Sequence, residues 1–290
     1  MSIVDGKQLI SATELHAIRD ATNLRVFDCT VHLVPDPPRP YRIVSGHADW
    51  LQTRLPKAGF LDPTATLSDT SADTAFTMPA AAAAARAFGE AGVVDGAHLV
   101  LYASNHPMWA TRVWWMLHTL GVEATVLDGG LSAWTAAGLA TDSGSFAHAA
   151  GTLSVAPRAD AWADRDQVLA SIGDGDVCTL NALSPAMYRG DGDRHYGRPG
   201  HIRGSRNLPY ASMFADDQQR FADAASLRAH FATVDALDRR VICYCGGGIS
   251  ATCDAFALRA LGHHQVAVYD GSMSEWVKDA ELPLTVGETP

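Results

Sequence analysis

The sequence predicts an α/β protein of two tandem domains, each built on a mainly parallel sheet with helices on both faces. Three observations predict this class: an internal repeat, buried strand patterns that alternate with helical ones, and a composition suited to a packed core. Hydrophobic residues make up 47% of the 290 positions and charged residues 19%. This composition excludes a mainly disordered, collagen-like or low-complexity chain.

The repeat aligns two stretches of the chain at a nearly constant shift. Residues 110–112 (ATR) correspond to residues 251–253 (ATC), a shift of 141 positions, and Trp134 corresponds to Trp276, a shift of 142. Between these points the first copy contains ATVLDGG and the second contains VAVYDGS. A match of this length at one shift indicates a tandem duplication.

Each copy has the pattern of a strand, a loop, a helix and a second strand. The first strands are the short apolar runs LVLY at 99–102 and VICYC at 241–245. Apolar residues at helical spacing follow, and Gly121 or Gly262 ends the helix. Earlier buried strands are predicted at residues 26–30 and 177–182. Strands that alternate with helices indicate a largely parallel sheet covered on both faces.

The domain boundary is predicted in a stretch of small and polar residues. The sequence TDSGSFAHAAGT ends at residue 152 and contains neither a strand nor a helix pattern. We therefore assign residues 1–142 to the first domain, 143–152 to a linker and 153–290 to the second domain.

Charge and cysteine content indicate the compartment and exclude some partners. The chain has 22 Lys and Arg against 32 Asp and Glu, and the net charge of −10 would repel a nucleic acid. The start lacks the pattern of a secretory signal, and the alanine-rich stretch near residues 80–87 is too short to span a membrane. Five cysteines at irregular spacing argue against a disulfide scaffold. A cytoplasmic protein without nucleic-acid or membrane partners is expected.

The loop after the strand of the second copy contains the candidate nucleophile, Cys245. The residues that follow it are Gly246, Gly247, Gly248, Ile249, Ser250 and Ala251. Ligands of open α/β sheets bind at the carboxyl ends of strands. Glycines let successive backbone N–H groups converge on one anion, and the helix that begins near Ser250 adds the positive end of its dipole. Both effects favour a thiolate, so residues 246–251 are predicted to cradle the charge of a catalytic Cys245.

The first copy lacks both the cysteine and the glycine-rich loop. Ala103 stands at the position of Cys245. The loop that follows, residues 104–109, is one residue longer, bulky, and contains Pro107, which cannot donate an N–H. A lone cysteine is more often a small buried hydrophobic residue than a nucleophile, but its loss in one copy and presence in the other favour a function. The first domain is predicted to be catalytically inactive, and the remaining cysteines are predicted to lie in the core.

Together these motifs resemble those of the two-domain rhodanese family of sulfurtransferases. The resemblance rests on the tandem repeat, the VLDGG and VYDGS segments with their tryptophans, the two Gly-His pairs and the CGGGISA loop. It covers nearly the whole chain and implies two rhodanese-like domains, of which the second carries a persulfide on Cys245. The loop resembles the mercaptopyruvate type more than the thiosulfate type, which has Arg and Lys where this chain has Gly246 and Gly247.

The resemblance also points to two arginines that would bind a small anionic sulfur donor. The family places an Arg before the aromatic residue of an R-[FY]-x-G segment, but Met187 stands there and Arg189 is the candidate substitute. Arg194 falls where mercaptopyruvate-type enzymes have a second carboxylate-binding Arg. The histidine of a first-domain H-M-L-P segment is absent from residues 76–79, and Gly247 replaces a serine of some mercaptopyruvate enzymes. The choice of donor therefore stays open.

The predicted function is transfer of a sulfane sulfur from thiosulfate or 3-mercaptopyruvate to cyanide, a thiol or a thioredoxin-like protein. One alternative is a catalytically weak rhodanese module that carries sulfur or binds proteins. Another is a phosphatase of related fold, which would need an Arg closing the loop where Ser250 and Ala251 stand. The 12 histidines show no paired metal-ligand spacing, so no metal is expected. The predicted double displacement on Cys245 requires no organic cofactor.

Overall fold

The computed structural model describes residues 8–36, 39–192, 195–215 and 219–290. Contacts between residues divide the chain into two compact units. Of the described residues, those from 8 to 158 and 219–221 form the first unit, and those from 159 to 215 and 222–290 form the second. Among the helices in the described ranges, none has both the length and the hydrophobicity of a transmembrane span.

The first unit is built on a five-stranded parallel sheet. The strands of the unit as a whole are β1 (Leu9–Ile10), β2 (Leu24–Asp28), β3 (Val31–Asp36), β4 (Arg39–Ser45), β5 (Ala58–Phe60), β6 (His98–Tyr102) and β7 (Thr125–Leu127). Its helices are α1 (Ala12–Ala17), α2 (His47–Gln52), α3 (Ala81–Glu90), α4 (Met108–Thr119) and α5 (Gly130–Ala136). The parallel sheet has the order β1-β7-β6-β2-β5, and β3 pairs with β4 as an antiparallel ribbon.

The second unit repeats this architecture. Its strands are β8 (Trp162–Ala163), β9 (Val177–Asn181), β10 (His201–Ile202), β11 (Arg206–Asn207), β12 (Arg240–Tyr244), β13 (Val266–Tyr269) and β14 (Leu284–Thr285). Its helices are α6 (Arg165–Ala170), α7 (Pro185–Arg189), a 3-10 helix (Tyr210–Met213), α8 (Ala224–Ala232), α9 (Ala251–Ala260) and α10 (Ser272–Trp276). The parallel sheet has the order β11-β9-β12-β13-β8, and β10 pairs antiparallel with β14.

The middle strands of the two parallel sheets, β6 and β12, are the equivalent apolar runs of the sequence repeat. In β12, Val241, Ile242 and Cys243 are fully buried, and β12 pairs in parallel with β9 on one side and β13 on the other. A strand buried on both faces needs a continuous apolar sequence, which explains the absence of polar alternation in both copies. The predicted fold class is confirmed.

The residues predicted as a linker, 143–152, pack along the first unit. The N–H of Gly144 donates to the carbonyl oxygen of Leu51 (2.7 Å), and the N–H of Gly151 donates to that of Gly89 (3.0 Å). The boundary between the units therefore falls after residue 158, beyond the predicted linker. The physical reason is that small residues lie close against the first unit and satisfy their backbone groups there.

Candidate active site

Cys245 lies at the carboxyl end of β12, the middle strand of the second parallel sheet. It follows Tyr244, the last residue of the strand, and is only 2% exposed. Its carbonyl oxygen accepts the N–H of Met273 (3.1 Å), which connects the end of β12 to α10. Sheet pairing and this hydrogen bond hold the backbone of Cys245 in place, at the position where α/β proteins bind ligands.

The loop after Cys245 carries several backbone N–H groups that the protein itself does not use. Among the described residues, no acceptor is present for the N–H groups of residues 246, 247 and 249–251. Helix α9 begins at Ala251, and its N-cap residue, Ser250, makes no side-chain capping hydrogen bond. Unpaired N–H groups at a helix N-terminus favour a bound negative charge. This part of the loop can therefore stabilise an anion on or near the sulfur of Cys245.

Gly248 has a different role from its neighbours in the loop. The sequence prediction places its N–H in the cradle, but this N–H donates to Oγ of Ser272 (3.1 Å). Its φ of +72° lies in the left-handed region that favours glycine. Gly248 therefore forms the turn of the loop and fastens it to the neighbouring segment.

Ser272 braces the loop, and the sequence analysis did not identify it. Its side chain is fully buried, and Oγ accepts the N–H of Cys245 (3.1 Å) as well as that of Gly248. The hydroxyl donates in turn to the carbonyl oxygen of Tyr269 (2.8 Å). One hydroxyl thus connects Cys245 and the turn at Gly248 to the end of β13. A non-glycine residue at φ +49° is unusual, which indicates that the surrounding structure enforces this position.

The equivalent residue of the first unit is Gly130, which offers no hydroxyl. Its φ of +52° matches that of Ser272, and a Cβ there would overlap the carbonyl oxygen of Ala103. The two units share the backbone geometry but differ in this side chain. The difference between DGG and DGS was visible in the sequence and is the signal that could have identified Ser272.

In the first unit, nearby side chains accept several N–H groups of the corresponding loop. The N–H of Ser104 donates to Oγ1 of Thr30 (2.8 Å), and that of His106 donates to Oδ1 of Asn105 (2.6 Å). The N–H of Met108 donates to Nδ1 of His106 (3.1 Å). Burial lowers the pKa of His106 to about 4, so its ring is neutral and can accept this bond. This loop offers far fewer backbone donors to a ligand than the loop after Cys245.

Tyr196 packs directly over Gly246, and the sequence analysis did not identify this contact either. A Cβ at position 246 would overlap the phenol oxygen and ring of Tyr196. At Gly247 the nearest atom to such a Cβ is Oγ of Ser274, at 3.8 Å, which is an ordinary contact. A side chain at position 246 would therefore displace Tyr196, whereas position 247 has space for one.

This difference gives a direct test of the packing. We expect Gly246→Ala to lower the free energy of unfolding by about 1 to 3 kcal/mol, because Tyr196 must move away from its packed position. Gly247→Ala, the matched control, should stay within about 0.5 kcal/mol of the parent. Adding Tyr196→Ala should recover most of the loss caused by Gly246→Ala. Urea unfolding curves of the parent, Gly246→Ala, Tyr196→Ala and the double variant measure this coupling, and additive losses would contradict the contact.

The two candidate donor-binding arginines differ in what the structure shows of them. Arg189 ends α7, and its guanidinium pairs with Asp191 (2.7 Å) and, more distantly, with Glu288 (3.9 Å). Arg194 lies outside the described residues. The nearby Arg198 donates to the carbonyl oxygens of Asp279 (2.8 Å) and Leu282 (3.0 Å). Arg189 therefore already has a carboxylate partner.

All five cysteines are buried and none forms a disulfide. Burial raises the pKa of Cys178 to about 11 and raises that of Cys29 and Cys243 well above its usual range. These three thiols are therefore poor sources of a thiolate near neutral pH. Within the described ranges, no three or more His, Cys, Asp or Glu side chains are grouped to hold a metal ion.

A parallel α/β domain with a cysteine at a strand end, followed by unpaired N–H groups and a helix, has the arrangement of cysteine-dependent transfer enzymes. Comparison with known proteins supports this class of enzyme. The rhodanese-like domain family matches residues 166–279. The 3-mercaptopyruvate sulfurtransferase of Escherichia coli K12 is 30% identical over 239 residues, which cover 81% of this chain and 84% of that protein.

Two further matches extend this likeness. The mitochondrial thiosulfate/3-mercaptopyruvate sulfurtransferase 1 of Arabidopsis thaliana is 28% identical and covers 98% of this chain and 79% of that protein. The crystal structure of the Escherichia coli 3-mercaptopyruvate sulfurtransferase SseA superimposes with a TM-score of 0.81 at 26% identity, over 92% of this chain and 98% of that one. The chain belongs to the rhodanese family of sulfurtransferases, which confirms the resemblance drawn from its motifs.

Proposed function

We propose that this sulfurtransferase carries a sulfane sulfur as a persulfide on Cys245. The observation that supports it most strongly is the set of backbone N–H groups without protein acceptors that follows Cys245. A persulfide anion needs hydrogen-bond donors that do not reorganise during the reaction, and backbone donors held by a braced loop meet this need. Family membership supports the same chemistry.

The reaction proceeds in two steps. The thiolate of Cys245 attacks the outer sulfur of thiosulfate, a new S–S bond forms, and the donor's own S–S bond breaks to release sulfite. With 3-mercaptopyruvate the C–S bond breaks instead, and its electron pair passes to an enolate that takes up the proton of the donor thiol to give pyruvate. A thiol or a reduced thioredoxin-like protein then attacks the outer sulfur and leaves Cys245 as a thiolate.

Intact-mass spectrometry tests this proposal directly. The purified protein is incubated with thiosulfate or with 3-mercaptopyruvate, and the mass and the modified residue are determined. We expect an adduct of about 32 Da, the mass of one sulfur atom, on Cys245, and its loss after addition of a thiol acceptor. An adduct that forms with neither donor but forms with a persulfidated protein would favour the alternative of a sulfur-carrier module. No adduct under any condition would contradict the proposal.

The donor's anionic end is the proposed ligand of Arg194, with a smaller contribution from Arg189. We expect Arg194→Ala to lower kcat/KM for the donor by about ten- to a hundredfold, the loss typical of one charge-assisted hydrogen bond. Arg189→Ala should have a smaller effect, because its guanidinium already pairs with Asp191. Steady-state assays with both donors measure the two losses. Changes within about twofold for both variants would mean that the loop N–H groups alone bind the donor.

We further propose that the first domain does not catalyse sulfur transfer. Alanine replaces the cysteine there, and side chains of the first unit accept several N–H groups of the loop that follows. A cytoplasmic location is also proposed. Five free cysteines in one chain fit a reducing compartment better than an oxidising one.

A further inference from the structure

Helix α9 contains a buried carboxyl group to which the two-step reaction assigns no role. The Asp254 side chain is fully buried, and neither of its oxygens has a hydrogen-bond partner among the described residues. An ionised carboxylate in such a place would lose its hydration without compensation. Burial raises the pKa of Asp254 well above its usual range, and negative charge on Cys245 raises it further.

The ionisable groups around Asp254 are thiols and a phenol. Helix α9 packs on β12, which carries Cys243 and is followed directly by Cys245, and also on β13 and the 3-10 helix, which carries Tyr210. Asp254 contributes to the raised pKa of Cys243, and Cys245 and Cys253 contribute to the raised pKa of Tyr210. Within the described ranges, no Lys, Arg or His lowers the pKa of Asp254. Asp254, Cys243, Cys245, Cys253 and Tyr210 together form a cluster of acidic groups. This cluster can therefore hold little negative charge, and a second negative charge would be strongly repelled.

We propose that Asp254 is a positioning residue for sulfur transfer: it stays protonated in the folded domain, so that the negative charge of the site lies on the sulfur of Cys245 alone. This proposal rests on the persulfide function proposed for Cys245. The thiolate and the persulfide anion each carry one negative charge, and both half-reactions balance without moving a proton to or from Asp254. Asp254 therefore remains neutral through the cycle.

Ionisation of Asp254 at alkaline pH would place a second negative charge in the cluster. That charge would repel an anionic donor and oppose formation of the persulfide anion. The alkaline limit of the donor reaction is thus set by Asp254, which acts through its charge and without contacting the donor.

The first test measures protonation through stability and does not depend on activity. An unfolded Asp ionises near pH 3.9, whereas the folded Asp254 keeps its proton, so folding becomes less favourable as pH rises. Relative to Asp254→Asn, the parent's unfolding constant should rise by up to about tenfold per pH unit above about pH 5. The matched control is Asp166→Asn, at an exposed carboxylate in the first turn of α6, and it should follow the parent. A pH-independent difference between parent and Asp254→Asn would overturn the proposal.

The second test measures the charge of the site. For the parent, kcat/KM for an anionic donor should fall at alkaline pH, and Asp254→Asn should lose this alkaline limb while it keeps the acid limb. A shift of the acid limb to lower pH in Asp254→Asn would show that Asp254 is ionised near neutral pH and would also overturn the proposal. If Asp254→Asn does not fold, Asp254→Leu serves for the stability comparison. The absence of the 32 Da adduct from both proteins would contradict the proposed function alone, because the stability result stands without it.

Discussion

Replacement of Cys245 by Ser should abolish sulfur transfer, with a loss of at least about a thousandfold in kcat/KM. The serine hydroxyl stays protonated near neutral pH and forms no persulfide, so the double displacement has no carrier. The variant should fold, because the side chain lies at the end of a strand whose backbone bonds do not involve its sulfur. Assays with both donors, together with intact-mass measurement of the adduct, check this result.

The other cysteines provide the controls for this variant. Cys243 is buried on the same strand and Cys253 lies in α9, so Cys243→Ala and Cys253→Ala keep the loop and its N–H groups intact. Both should retain most of the activity. If Cys253→Ala were as inactive as Cys245→Ser while it remained folded, the assignment of the nucleophile would be wrong.

Replacement of Ser272 by Ala should lower both stability and activity. Two buried N–H groups, those of Cys245 and Gly248, would lose their acceptor, at a cost of about 2 to 4 kcal/mol in the free energy of unfolding. The loop would also lose its brace, and kcat/KM should fall by roughly tenfold or more since its donors would no longer be held in place. Urea unfolding and donor assays, performed where the variant is folded, measure the two effects.

The variant Ser272→Gly separates the hydroxyl from the backbone. Glycine relieves the positive φ and reproduces the residue of the first domain, so this protein should be more stable than Ser272→Ala. It should be no more active, because it also lacks the acceptor. Activity within about twofold of the parent in either variant would show that the brace is not needed for transfer.

The elements that could be predicted from the sequence are those that depend on local pattern. The apolar runs before Ala103 and Cys245 are the central strands β6 and β12, and Gly121 and Gly262 follow α4 and α9 as expected. The domain boundary predicted from the sequence lies before the one in the structure, because small polar residues have the same sequence pattern whether they form a linker or pack along a domain. Hydrogen bonds from Gly144 and Gly151 to the first unit decide that question.

Within the candidate site, the sequence alone identified what lies in one continuous segment. The strand, Cys245 and the loop of residues 246–251 are contiguous, so a short apolar run and the glycine content were enough to identify them. The duplication provided independent evidence, because Ala103 occupies the position of Cys245 in the copy that lacks the nucleophile. Fold class and family followed from the same local evidence.

Only the tertiary structure decided which distant residues act on that segment. Ser272 reaches the loop because β13 pairs beside β12, and Tyr196 packs on Gly246 although the two are far apart in the sequence. In the sequence, nothing distinguishes Asp254 from other polar residues of a helix. In the structure, its carboxyl group is buried without a hydrogen-bond partner among the described residues. These roles depend on distances between segments that are far apart in the chain, and local propensity carries no information about such distances.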